Sequence, residues 1–275
     1  LVIVTALVVA VASVPAAAGK PALKPGGYYS FAFGPYAYSE LEDISTKNGV
    51  GDPIWSLGVE FVGDGVNWFG WTPFGLAFDP SLVRSQLARV DSENGAVTPI
   101  GLPVPFNTSG PDIDAQGNLF VCGFQVETLG YIWGNSSLWR VDKATGEFIE
   151  VGDTGHTSWM DLAFDSQGTL WGTFDNELYV IDPETGISTF VTEIHGVPNA
   201  GDPDHMEVMS IAFDHRDVLY GTAMTVYYDD PNGSPVLRID TVTGEATVLG
   251  YTNQPYNHGG DILLKNEDDQ GEDEQ

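Results

Sequence analysis

Three of the chain's five histidines fall at nearly matching distances from repeated positions. His156 lies five residues before Asp161, His205 five before Ser210, and His258 three before Asp261. Each has a carboxylate close by in sequence: Asp161, Glu207 and Asp261. Neutral imidazole suits zinc or another transition metal, whereas a set dominated by oxygen ligands prefers calcium. The expectation is one divalent-cation site, for calcium or zinc, built from His156, His205, His258, Asp161, Glu207 and Asp261. Trp68, Trp71, Trp159, Tyr256 and Asn257 are candidates for a ligand-binding surface beside it, with Tyr227 and Tyr228. Aromatic residues at strand ends otherwise serve packing. His195 and His215 read as polar residues of solvated loops. Asp112-Ile-Asp-Ala-Gln-Gly117 matches part of a calcium loop, D-x-D-x-x-G, although the same stretch also reads as an ordinary hairpin turn. No G-x-S-x-G, H-E-x-x-H, phosphate loop or C-x-x-C occurs, so nothing points to a serine hydrolase, a zincin or a nucleotide enzyme.

The elements that must hold these residues are legible from one stretch, Trp159 to Ile194. It reads as four short strands, Asp161–Asp165, Leu170–Phe174, Leu178–Ile181 and Ile187–Val191, each rich in apolar, aromatic or β-branched residues. Between them stand Asp165-Ser-Gln-Gly168, the tight Asp175-Asn176 and Asp182-Pro-Glu-Thr-Gly186. In such turns Asp accepts backbone N–H bonds and Gly takes the φ > 0 position at no steric cost. Four antiparallel strands in so short a stretch make one propeller blade. The third turn and its flanking strand, [IV]-D-x-x-[TN]-G, recur at Val90–Gly95, Val141–Gly146, Ile181–Gly186 and Ile239–Gly244, with a weaker copy, Ile44-Ser-Thr-Lys-Asn-Gly49. The copies are 46, 51, 40 and 58 residues apart, the period of propeller blades.

The first-strand signal Asp161-Leu-Ala-Phe-Asp165 recurs as Ser210-Ile-Ala-Phe-Asp214 and, shifted in register, as Asp112-Ile-Asp114. The second-strand signal Leu170-Trp-Gly-Thr173 recurs as Leu219-Tyr-Gly-Thr222 and Leu119-Phe-Val-Cys122. The second blade is ambiguous: Gly75–Asp79 is either its inner strand, or its second strand preceded by Val66–Trp71. Tyr28-Tyr-Ser-Phe-Ala32 matches a second strand with no first strand before it, and Asp261-Ile-Leu-Leu-Lys265 a first strand with none after it. Joined, they complete one blade and remove a free sheet edge. The expected fold is all-β, a five-bladed β-propeller of four-stranded antiparallel blades whose first blade is closed by the C-terminal strand. The loops entering the inner strands then gather at one mouth of the central channel, where the candidate site is expected.

Composition narrows the setting. With 39 acidic against 10 basic side chains the formal charge is −29, which repels nucleic acid and anionic membranes and attracts cations. Residues 1–18 form an uncharged apolar run ending in a small-residue pattern, read as a signal peptide; the competing reading is a membrane anchor. Residues 19–265 are expected to be a single propeller domain, and 266–275 a disordered acidic tail. The expected location is secreted or periplasmic, as a monomer, with no membrane contact after cleavage. The single Cys122 excludes an internal disulfide framework and reads as core.

Over residues 28–265 the repeats resemble the secreted bacterial propellers with L-Y-x-I-D-x-x-T-G repeats. They are more distantly similar to NHL-repeat and gluconolactonase-like propellers. The expected function is a ligand- or protein-binding module acting through the channel-mouth loops, for a protein or carbohydrate, with a bound divalent cation. The gluconolactonase-like resemblance implies the alternative, a metal-dependent hydrolase or lyase using Asp161, Glu207 and Asp261 as ligands or bases. A glycosidase using the same carboxylates as acid and base ranks below it.

Overall fold

The computed structural model describes residues 23–24, 26–33, 39–57, 67–69, 72–79, 84–91, 93–126, 132–197, 207–224, 233–254 and 257–262. The expected signal peptide and acidic tail lie outside them. The first sheet contains β1 (Tyr28–Phe33), β2 (Ser39–Ile44) and β3 (Gly51–Ser56). The second contains β4 (Asn67–Phe69), β5 (Thr72–Asp79), β6 (Arg84–Val90) and β7 (Val97–Pro99). The third holds β8 (Asn107–Ile113), β9 (Leu119–Val126), β10 (Ile132–Val141) and β11 (Phe148–Asp153). The fourth is β12 (Asp161–Phe164), β13 (Leu170–Phe174), β14 (Glu177–Ile181) and β15 (Ser188–Glu193). The fifth is β16 (Val208–Phe213), β17 (Leu219–Ala223), β18 (Pro235–Ile239) and β19 (Ala246–Tyr251). Finally β20 (Asn257–Ile262) returns to the first sheet, antiparallel to β1, with Tyr28 opposite Ile262. All pairings within the sheets are antiparallel and each sheet has four strands, the architecture of propeller blades.

In the second sheet, Thr72–Asp79 pairs with both Asn67–Phe69 and Arg84–Val90, so Gly75–Asp79 belongs to the second strand. The innermost strands touch in a ring: β20 with β4, β4 with β8, β8 with β12, β12 with β16, and β16 with β20. Apolar side chains fill the seams between sheets. Tyr29, Leu41 and Trp55 meet Ala88 and Val90; Leu87 meets Leu119, Val121 and Val141. Cys122 and Leu138 meet Trp159 and Leu162, and Leu178 meets Val208 and Ile211. Tyr220 and Val236 meet Tyr28 and Ile262. Each fully buried Leu, Val or Ile among them contributes roughly 1.5–3 kcal/mol.

The repeated turns add a second join. Asp182 Oδ1 accepts from Glu184 N at 2.9 Å, its Oδ2 accepts from Thr185 Oγ1 at 2.8 Å, and Gly186 closes the turn at φ 78°. That glycine lies against the neighbouring sheet, and the same holds in every copy. A Cβ on Gly186 would sit 2.7 Å from Gly152 O, on Gly146 2.4 Å from Ile100 O, and on Gly244 1.9 Å from Glu193 O. On Gly95 it would meet the Trp55 side chain at 2.7 Å, and on Gly49 the Gly250 carbonyl carbon at 2.5 Å. The weaker copy at Ile44–Gly49 thus packs its turn on the fifth sheet.

Candidate functional site at the channel

An innermost strand pairs with its sheet on one side only, so part of its backbone faces the channel without a sheet partner. Two aspartates meet this need from the adjacent inner strand. Asp112, at the end of β8, accepts from Phe164 N of β12 and from its own neighbour Ile113 N at 2.6 Å. Asp161, at the start of β12, accepts from Ile211 N of β16 at 2.7 Å and from Leu162 N at 3.0 Å. Both are buried. Burial pushes the Asp112 carboxyl up to about 7 against the pull of those N–H bonds, with Asp114 adding to the rise. Burial also holds Asp161 well above the usual carboxylate range, and Asp112 adds to that rise.

The next strand, β16, carries Ser210 where β12 has Asp161. Its hydroxyl lies 2.5 Å from Tyr28 Oη and 2.9 Å from Thr222 Oγ1. The polar chain continues from Thr222 Oγ1 to Asn257 O at 3.2 Å. Asn257 Nδ2 donates to Glu42 Oε2 at 2.9 Å, and its Oδ1 accepts from Thr252 Oγ1 at 2.8 Å. Glu42 is fully buried, its Oε1 has no partner among the described residues, and burial pushes its carboxyl up to about 7. This network crosses the seam between the fifth sheet and the first.

The expected cation site lies only partly within the described residues. His156 packs against Tyr179, Phe174 and Trp159 with ring centroids 4.6, 4.7 and 5.4 Å apart. Tyr179 stands on the third strand of its sheet, so His156 covers the body of the fourth sheet and is turned away from the channel. A five-residue offset from Asp161 leaves room for the loop to fold outward, which spacing alone could not reveal. His205 lies outside the described residues, as do Trp71, Tyr256, Tyr227 and Tyr228. His258 stands opposite Phe31 in β20, and Trp68 opposite Pro73 in β4. Glu207 O accepts from Met224 N just before β16. Among the described residues no group of three His, Cys, Asp or Glu is placed to hold a metal.

Two further placements differ from expectation, and a third decides between two readings of one stretch. Asp261 pairs with Tyr29, whereas Trp171, the Tyr29 counterpart in β13, pairs with Ala163. Asp261 therefore matches Asp112 and Ala163, two residues beyond the Asp161 position. Trp159 is fully buried and donates from Nε1 to Thr154 Oγ1 at 2.7 Å, so its ring is packing and not a ligand surface. Asp114 accepts from Gln116 N and Asn118 N at 2.9 and 2.7 Å, which makes Asp112–Gly117 a strand end and hairpin turn rather than a calcium loop. Glu42 carries no sequence signal, while Ser210, Tyr28 and Asp112 stand out as strand positions, and Asp112 also in the calcium-loop match, but not as members of one polar network. Asp before Ile or Leu marks three inner strands, at Asp112-Ile113, Asp161-Leu162 and Asp261-Ile262, but also occurs at Asp43-Ile44 on β2.

No protein-family model matches the chain, and no curated protein matches it. Similar solved structures include a chain of a nidogen/laminin complex, at 12% identity and TM-score 0.52, covering 87% of this chain and 99% of that one. TolB from Acinetobacter baumannii aligns at 12% identity and TM-score 0.49 over 82% of this chain and 53% of that one. A gluconolactonase from Xanthomonas campestris aligns at 13% identity and TM-score 0.46, over 87% and 80%. At these identities the nidogen/laminin likeness speaks to architecture alone: the chain has the fold of a β-propeller.

Proposed function

We propose that this chain is an exported, five-bladed propeller, closed by its own C-terminal strand, that binds a protein or carbohydrate ligand through one mouth of the channel. The observation that carries the reading is the asymmetry between the two faces. On one face the sheets are joined internally by short turns of repeated chemistry, Asp114–Asn118, Asp165–Thr169 and Asp214–Val218, and the [IV]-D-x-x-[TN]-G copies. On the other face the connections differ from blade to blade. The fourth sheet turns through Asp175-Asn176 alone, whereas the fifth uses residues 224–234, and residues 194–207 lead from the fourth sheet into the fifth. A scaffold of repeated turns carrying unequal connections on one side is how rigid folds present a recognition surface.

The channel carboxylates support binding over the hydrolase or lyase alternative. Asp112 and Asp161 each spend their oxygens on two backbone N–H groups, so neither is free to converge on a reacting atom. For a divalent cation at the mouth, the remaining candidates are His205 and Glu207 before β16 and His258 near the start of β20, two strands in contact, whereas Asp261 lies toward the far end of β20. Replacing residues 225–232 with an Asp-Asn turn should abolish binding on a glycan array or to a protein ligand while the circular dichroism stays native. Calorimetric titration with calcium and zinc, in wild type and His205→Ala/His258→Ala, tests the cation. Turnover of lactones or glycosides that is lost with chelator would overturn the binding reading in favour of the enzyme.

A further inference from the structure

On the face that carries the repeated turns, away from the proposed mouth, the third and fourth sheets part to leave a cleft of about 390 Å³. That is within the range of small-ligand and side-chain pockets. Its floor is apolar: the rings of Phe120 and Phe164 lie 5.6 Å apart, and Val151 packs beside them. Ile149, 43% exposed, forms one lip. The cleft has an identifiable cause in the sequence. Phe120 stands opposite Arg140 in its sheet as Trp171 stands opposite Val180 in the next. At the following seam Trp171 fills this place, meeting Phe213 at 5.9 Å and donating from Nε1 to Asp165 Oδ2 at 3.0 Å. The smaller Phe120 and the outward-reaching Arg140 leave the space between the third and fourth sheets unfilled.

The polar rim gives the occupant a charge. Glu184 is exposed on the far wall and Asp114 and Glu150 stand on the near one, against Arg140 in the lining and Lys143 beside Asp114, in a chain of net charge −29. An apolar floor under a net acidic rim is complementary to an apolar group carrying a positive charge. We propose that this cleft docks a segment of a partner protein in which an aromatic or long aliphatic side chain sits beside a lysine. The apolar group covers Phe120 and Phe164, and the ammonium lies toward Glu184, away from Arg140.

The test uses the full chain, methyl-labelled at Ile and Val, and two probes: N-acetyl-Phe-Lys-amide and N-acetyl-Phe-Glu-amide. The lysine probe should shift the Ile149 and Val151 methyl signals saturably, with a Kd on the order of 1 mM. Glu184→Gln should weaken it about two- to fivefold, and Arg140→Gln should tighten it by a similar factor. Phe120→Trp, which copies the neighbouring seam and keeps the fold, should remove the response. Shortening residues 225–232 should leave it unchanged, which separates this site from the mouth. Absence of a saturable shift in wild type would overturn the proposal. So would preference for the glutamate probe with loss of binding in Arg140→Gln, which would assign the cleft to an anionic ligand.

Discussion

At the scale of single residues, the buried carboxylates decide how the molecule responds to pH. No cation among the described residues acts on Glu42, and burial raises its folded pKa from 4.5 to about 7. The folded state therefore prefers the neutral carboxyl. Its contribution is fully present below the unfolded value, declines as pH rises from about 4.5 to about 7, and is lost above that. Glu42→Gln keeps an acceptor for Asn257 Nδ2 and removes the ionisation. It should raise stability by up to about 3 kcal/mol above pH 7 and change little near pH 4, measured by urea unfolding at both values. Asp142, Asp182 and Asp240 act in the opposite sense, because turn N–H bonds hold their carboxyls below the usual range. Their contribution is lost as pH falls below about 4. Stability should therefore peak in mildly acidic solution. Asp161 makes a different test. Asp161→Ala leaves Ile211 N and Leu162 N without their acceptor in a buried site and should cost about 3 kcal/mol. Asp161→Asn, which keeps one acceptor oxygen, should cost less. Equal losses in the two variants would show that the carboxylate is not held there for those bonds.

At the scale of elements, the repeated turns explain why so much of the architecture could be read from the sequence. An Asp that accepts from the residues two and three ahead, and a Gly at positive φ, are local requirements, so they leave a fixed spacing such as Asp182 to Gly186. The glycine also meets the next sheet, which spacing does not disclose. Gly244→Ala puts a Cβ on Glu193 O and should destabilise by about 3 kcal/mol or more, whereas Gly168→Ala, with φ 80° but open space, should cost only about 1–2 kcal/mol. Comparing the two by chemical denaturation separates close approach from backbone strain. The channel was less legible because its bonds join distant residues, Asp112 to Phe164 and Asp161 to Ile211. Asp261 was misplaced by two positions for the same reason, since its register is set by β1 at the other end of the chain. His156 followed the inner-strand spacing but obeyed the aromatic packing of Phe174 and Tyr179 instead.

At the scale of the whole molecule, the pairing of β20 with β1 bears more than one strand's worth of structure. It supplies the inner strand of the first sheet, the Asn257 that ties Thr252 to Glu42, and the Ile262 that packs with Tyr28 and Tyr220. Without it β1 presents an unpaired edge, and β16 loses a neighbour in the ring. Ending the chain at Gln254 should therefore abolish cooperative unfolding and promote association through β1, seen as a broadened melt and a larger hydrodynamic radius. Ending it at Lys265 should leave the melt unchanged, since it keeps β20 entire. A synthetic peptide covering Asn257 to Lys265, added to the shorter chain, should pair with the vacant edge and restore a sharp transition whose midpoint rises with peptide concentration. A native-like, concentration-independent melt of the chain ended at Gln254 would show that the first sheet stands without its C-terminal strand, and that closure through β20 does not hold the ring together.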